Sequence, residues 1–423
     1  MKRIFKSIFQ DNFLRDSFIM FTSSGLVNFF NFLYTIFLAR ELTPSDFGLF
    51  NSLLAILMLI LQVPSAISIA VSRFVSQYHA QESFEKIKKI IYFLNKRINL
   101  LVFFIFLGII LFHKPGSNFL KISDGANFLI LGFIILFSYL SAIPQATLLG
   151  LQKFFYLSFS SVFSGLIKLI MVFLLIKLGM EVKGALGAFL ISSLFGFILL
   201  LYFQHKSLPK ILRFSLEENL SDLRNIYAYF IPFFIATLIG TGFMNIDIIL
   251  VKKFFEPLYA GYYSISQVVG KVVFFFPSSI VTVMFPKVAH FQAKNSDTKI
   301  LLKKSILYTF FLSSLIATMV IIFPDLTLKI LVGKIYYECF PFVRLFAVNM
   351  VLLSIIFIFL NYYLSLNRQK YLYIFLIAFL FEILLISLFH QSILQVLFLI
   401  FFLFFFLFLF NFWINFYYER NRR

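Results

Sequence analysis

Apolar runs of about 20 residues follow one another along almost the whole of this 423-residue chain, and such runs suit one environment, the interior of a lipid bilayer. No water reaches the backbone there, so each run must satisfy its own N–H and C=O groups and folds as a helix. Twelve spans are expected, near 17–39, 47–72, 92–112, 126–149, 155–178, 183–203, 227–251, 262–286, 304–324, 340–364, 371–390 and 392–418. The third is the least regular, because Asn95, Lys96 and Arg97 interrupt its start. With 61% hydrophobic residues and 65 Phe, a water-soluble fold could not bury its apolar surface. The expected class is an all-α integral membrane protein.

A net charge of +19 would suit a nucleic-acid partner, but its distribution argues against one. If the N-terminus is inside, the inner loops and both tails hold 25 Lys and Arg and the outer loops nine. The positive-inside bias places both termini in the cytoplasm and explains the basicity as topology. Phe5, Ile8, Phe9 and Phe13 beside Lys2, Arg3, Lys6 and Arg15 suggest that residues 1–16 form a helix on the inner surface. They do not read as a cleavable signal. The single cysteine, Cys339, excludes an internal disulfide and a thiolate metal cluster. The longest polar stretch, near 204–226, is too short for a soluble domain.

The chain also matches itself. A shift of 213 residues sets Pro44 on Pro257, Gly48 on Gly261, Pro64 on Pro277, Ser65 on Ser278, Val75 on Val288 and Ala80 on Ala293. Two parallel repeats of six spans follow: a first bundle over 1–208, including the surface helix, and a second over 209–423. In the first span Ser24, Asn28, Asn31 and Thr35 share one helical face. The shift carries Ser24 to Thr237 and Asn28 to Thr241, with Asn245 one turn on. This stripe either bonds helix to helix or lines a polar lumen, and its recurrence in both halves favours the lumen. Prolines at matched places, Pro64 and Pro277, kink their spans and suit hinges between moving bundles.

Charges inside the spans are few. Lys168, Asp247, Lys271 and Glu382 lie within them, and Arg344 nearer a span end. Such a group costs roughly 2.5–3.5 kcal/mol on insertion scales and usually faces a protein-lined interior or a water-filled path. Lys168 is about 20 Å along the fifth span at 1.5 Å per residue, so it cannot easily snorkel to either surface.

Certain stretches are familiar. Leu38-Ala39-Arg40-Glu41-Leu42-Thr43-Pro44-Ser45-Asp46-Phe47-Gly48, directly after the first span, resembles the opening of the polysaccharide-exporting flippases. Arg73-Phe74, Gly150-Leu151-Gln152-Lys153-Phe154, Asp247, Ala260-Gly261-Tyr262-Tyr263 and Phe285-Pro286-Lys287-Val288 continue the likeness over eleven spans. The superfamily also holds multidrug-and-toxin exporters and lipid II flippases. The resemblance implies a Wzx-type translocase in the bacterial inner membrane, moving undecaprenyl-pyrophosphate-linked oligosaccharide repeat units outward for O-antigen or capsule synthesis. Membrane lipids and a polysaccharide polymerase would be its partners. No cofactor is implied beyond H⁺ or Na⁺ as coupling ion.

On that reading Lys168 and Lys271 balance the pyrophosphate charge, and Arg40, Arg73 and Arg344 either capture the headgroup or anchor span ends. Asp247 and Glu382 either bind the coupling cation or neutralise a lysine. The structural alternative for each lysine is a pair with Asp247 or Glu382. The rival function is a cation-coupled multidrug or small-molecule antiporter. An enzyme, such as a membrane glycan polymerase, is disfavoured: there is no Walker-type loop or HExxH motif, and the longest outer loop spans only His113 to Gly125.

Overall fold

The apolar runs fold as helices. A computed structural model describes residues 12–119, 121, 125–209, 220–294, 296–366 and 368–415, and among these there is no strand. Residues 1–11 of the expected surface helix lie outside the described residues. Among the described residues ten helical stretches are long and apolar enough to cross a membrane, Pro44–Ala80 counting as one. The expected eighth span is a pair, Pro257–Phe275 and Ser278–Gln292, bent by 41°, and the expected eleventh is the shorter apolar helix Leu372–Leu388.

The chain divides into two units. The first comprises 1–41 and 60–234. It holds α1 (Asn12–Glu41), α3 (Gln62–Ala80), α4 (Phe84–Phe119), α5 (Ala126–Gly150), α6 (Phe154–Lys177), α7 (Glu181–Ser207) and the start of α8 (Leu220–Phe254). The second comprises 42–59 and 235–423. It holds α2 (Pro44–Ile60), the rest of α8, α9 (Pro257–Phe275), α10 (Ser278–Ala293), α11 (Lys299–Ile322), α12 (Pro324–Leu331), α13 (Phe340–Ser365), α14 (Leu372–Leu388) and α15 (Ile393–Trp413). The halves 1–208 and 209–423 are therefore not divided at one point. Leu42–Leu59, from the first half of the sequence, groups with the second unit, and the first unit continues to Phe234.

Local chemistry sets the boundaries. α2 starts where Pro44 supplies a fixed φ and Thr43 caps: the Asp46 N–H donates to Thr43 Oγ1 at 3.2 Å, and that hydroxyl donates to Asp46 Oδ2 at 2.6 Å. The Phe-rich α15 starts on another box, with Gln395 N–H on Ser392 Oγ at 3.1 Å and Gln391 N–H on Gln395 Oε1 at 2.8 Å. The expected second span runs through α2 and α3 as one stretch, Pro44–Ala80, with a single turn residue, Leu61, between them, and Pro64 sits in the first turn of α3. Pro277 stands at the bend between α9 and α10. In α4 the irregular third span holds together because Ile87, Ile90, Leu94, Ile98 and Val102 form one buried stripe, leaving Lys96 and Arg97 exposed.

Motif glycines allow backbones to touch. A β-carbon at Gly150 would stand 2.6 Å from Val75 Cβ and 2.7 Å from the Ser72 carbonyl, so the end of α5 packs directly on α3 beside Arg73-Phe74. Gly48 of α2 meets Gly261 of α9, where a β-carbon would lie 2.8 Å from the Gly261 nitrogen. Gly261 itself abuts the Pro44 carbonyl. Replacing Gly261 with alanine should cost about 1–3 kcal/mol through overpacking. Gly25→Ala, with nothing within 4 Å, should cost far less. Buried Cys339 is a native reporter: labelling by a thiol dye during heating should begin at a lower temperature in Gly261→Ala alone.

Candidate functional site

Each unit holds a buried polar cluster. In the first, Gly165 brings α6 close to Phe30 of α1, and one turn on, Lys168 reaches α1 with 9% of its surface exposed. Its ammonium donates to Asn31 Oδ1 and lies 4.8 Å from the ring centroids of both Tyr34 and Phe189. Asn31 and Tyr34 share a helix face, and the Tyr34 hydroxyl is fixed by the Ala185 carbonyl of α7 at 2.8 Å. Lys168 is thus held by one amide oxygen and two ring faces. The bonds it makes lie within its own unit, in place of the expected pair with Asp247 or Glu382. Ring faces attract a cation by ~2 kcal/mol when desolvated but leave its charge intact. A buried ammonium with neutral partners favours an incoming anion.

In the second unit α9 presents Tyr263, Gln267 and Lys271 at successive four-residue steps, on one face, toward Asp247 and Asn245 of α8. Asp247 is 3% exposed. Its Oδ2 accepts from the Tyr263 hydroxyl at 2.7 Å, its Oδ1 accepts from the Ile248 N–H at 2.8 Å, and Gln267 Nε2 donates to both oxygens at 2.9 and 3.0 Å. Half-buried Lys271 donates to Gln267 Oε1 and Asn245 Oδ1, each at 3.1 Å. Asn245 is steadied in turn by the Thr241 carbonyl at 2.9 Å. The expected pair of Lys271 with Asp247 is therefore indirect, with a glutamine amide between the charges.

Glu382 of α14 is 1% exposed, and neither carboxyl oxygen has a hydrogen-bond partner among the described residues. It neutralises no lysine, which corrects the structural alternative expected for it. Two acids in one apolar interior are tolerated only with a proton or cation to offset them.

The remaining expected residues are dispersed. Ser24 and Asn28 are exposed on α1, while Thr237 and Thr241 are half-buried on α8. Arg40 is exposed in the last turn of α1, Arg73 is exposed within α3 rather than at its end, and exposed Arg344 donates Nε to the Ile321 carbonyl at 3.2 Å. Sequence reasoning missed Tyr263, Gln267, Tyr34 and Phe189. The first two were signalled by their four-residue steps to Lys271; nothing marked Phe189 among 65 Phe.

A family model described as polysaccharide biosynthesis protein matches residues 13–292. An uncharacterized membrane protein of Methanocaldococcus jannaschii is 25% identical over 352 residues, covering 78% of this chain and 79% of that protein. Among solved structures, an inward-facing multidrug resistance MATE family transporter of the MOP superfamily is similar at a TM-score of 0.73 and 10% identity, over 92% of this chain and 94% of that one. The lipid II flippase MurJ, inward closed, is similar at 0.69 and 17%, over 94% and 87%. The chain thus has the fold of these transporters.

Asn31→Leu should strand the Lys168 ammonium and lower stability by about 1–3 kcal/mol. Added to Lys168→Met it should cost much less, because the charge has gone. A double-mutant cycle on unfolding midpoints in detergent should give a coupling of about 0.5–3 kcal/mol; additive losses would deny the contact its energetic role.

Proposed function

We propose a function from one premise: this chain belongs to the polysaccharide biosynthesis protein family. It is a flippase that carries undecaprenyl-pyrophosphate-linked oligosaccharide repeat units from the cytoplasmic to the outer leaflet, for surface polysaccharide such as O-antigen or capsule. The observation that carries this reading is Lys168, an ammonium buried in a span among neutral partners. The cargo's pyrophosphate is an anion that must cross an apolar layer. At 4 Å and an effective dielectric constant near 20, each cation opposite it contributes roughly 4 kcal/mol. Lys168 and Lys271 supply two such charges, while Arg40, Arg73 and Arg344 attract the headgroup.

Transport proceeds by alternating access. Leu61 and Pro64 lie in the second span where the chain passes from one unit to the other, and the proline's missing N–H makes this point the hinge. The bend at Pro277 gives a second point of compliance. Coupling falls to Asp247 and Glu382, whose buried carboxyls take up H⁺ or Na⁺ as the protein changes state. The same orphaned Glu382 favours the second reading, a cation-coupled small-molecule antiporter.

Lipid extracts from a strain lacking the gene decide between the two. The flippase reading expects polyprenyl-pyrophosphate-linked oligosaccharide to accumulate and a plasmid copy to clear it. Unchanged lipids with altered drug susceptibility would favour the antiporter. Lys271→Ala, inserted at normal levels, should lower export at least tenfold, equivalent to about 1.4 kcal/mol. Full export by Lys168→Ala/Lys271→Ala would remove the cationic site from the mechanism. Glu382→Gln should leave cargo binding intact and abolish the dependence of transport on the ion gradient, measured in proteoliposomes with imposed pH or Na⁺ gradients.

A further inference from the structure

Among the described residues Gln267 hydrogen-bonds both Asp247 and Lys271. Its side chain is 2% exposed. The two ends of its amide differ: the NH₂ only donates and the oxygen only accepts. The NH₂ donates to both Asp247 oxygens, at 2.9 and 3.0 Å, and more weakly to the Met244 carbonyl at 3.3 Å. The oxygen is therefore turned to Lys271 and accepts from its ammonium at 3.1 Å. With Asp247 ionised this is the favourable orientation, and it holds Lys271 in place.

A positive charge arriving at Asp247 reverses the preference. A protonated carboxyl offers an O–H, and an alkali cation seeks oxygen ligands; both call for the amide oxygen. A half-turn of the amide supplies it and points the NH₂ at Lys271. Lys271 then loses an acceptor and meets the positive end of a dipole, keeping Asn245 as its remaining partner. The Met244 carbonyl opposes the turn, so the amide stays in its resting orientation until the charge arrives. The ionisable groups facing Asp247 are Tyr263 and Lys271 of α9 and Glu382 of α14. The Tyr263 hydroxyl can bond Asp247 in either state. A direct ion pair would bind Lys271 too firmly for this exchange, since breaking a buried pair strands both charges.

We propose that Gln267 is a positioning residue that couples a positive charge on Asp247 to release of the Lys271 ammonium for an anionic, pyrophosphate-bearing cargo. The cargo half of this inference rests on the flippase reading; the relay does not.

The experiment uses the full-length protein in nanodiscs, with ¹⁵N on lysine side chains. The Lys271 ammonium signal is assigned by difference from Lys271→Arg. Three conditions are compared: pH 8 in choline chloride, pH 6 in choline chloride, and pH 8 in sodium chloride. The Lys271 signal should shift in the proton arm or the sodium arm, which names the ion. In that arm farnesyl pyrophosphate, the probe, should bind at least tenfold tighter. Gln267→Met fills the space without donating or accepting. In it the signal should stop responding and the affinity change should fall below threefold. Should Gln267→Met fail to fold, Gln267→Asn, too short to bridge, is expected to lose the response equally. A Lys271 signal that responds as in the wild type in either variant overturns the relay, and so does a wild-type signal that moves in neither arm. A responsive wild-type signal without farnesyl pyrophosphate binding leaves the relay standing and removes the flippase reading.

Discussion

In the apolar layer a polar group must find its partner inside the protein, because an unmade hydrogen bond there costs several kcal/mol. Helices follow from this for the backbone, and so do most side-chain arrangements in the spans. Ser138, Thr147, Ser160, Ser266, Ser313 and Ser354 all turn their hydroxyls back to the carbonyl four residues earlier. Asn349 reaches across to the Leu397 carbonyl of α15 at 3.0 Å. Against this rule Glu382 stands out, since both of its oxygens are buried and have no hydrogen-bond partner among the described residues. A bare buried carboxyl of this kind marks a functional-site candidate.

The two polar clusters meet the constraint with unlike groups. The first buries an ammonium and surrounds it with an amide and two rings. The second buries two carboxyls and separates one of them from a lysine by a glutamine. Under the 213-residue repeat Tyr34 falls on Asp247, so one helix position carries a ring over a cation in the first repeat and an acid in the second. Matched backbones have thus acquired unlike chemistry.

Repeat symmetry is kept where packing demands it. Pro44 and Pro257 each open a helix, and Gly48 and Gly261, matched in sequence, stand against each other with no room for a β-carbon between them. Side chains at either place would force the helices apart. The same segment, Leu42–Leu59, follows α1 in the chain yet groups with the second unit, bounded by the non-helical Leu42–Thr43 and by Leu61.

Period, length and charge placement in the sequence determined the class: helices at all twelve expected places, the repeat, and which ionisable residues lie within the spans. These are local properties, set by what a bilayer tolerates within one run of residues. Asn31, Asn245, Lys168, Lys271, Asp247 and Glu382 were all legible as polar atoms in apolar surroundings. Their partners were not. Only the tertiary structure brought Phe189 over Lys168, placed Gln267 between Asp247 and Lys271, left Glu382 bare, and gave Leu42–Leu59 to the second unit. A span's sequence records that a charge must be accommodated; which neighbour accommodates it depends on how separate helices rotate and pack, and hydrophobic periodicity carries no record of that.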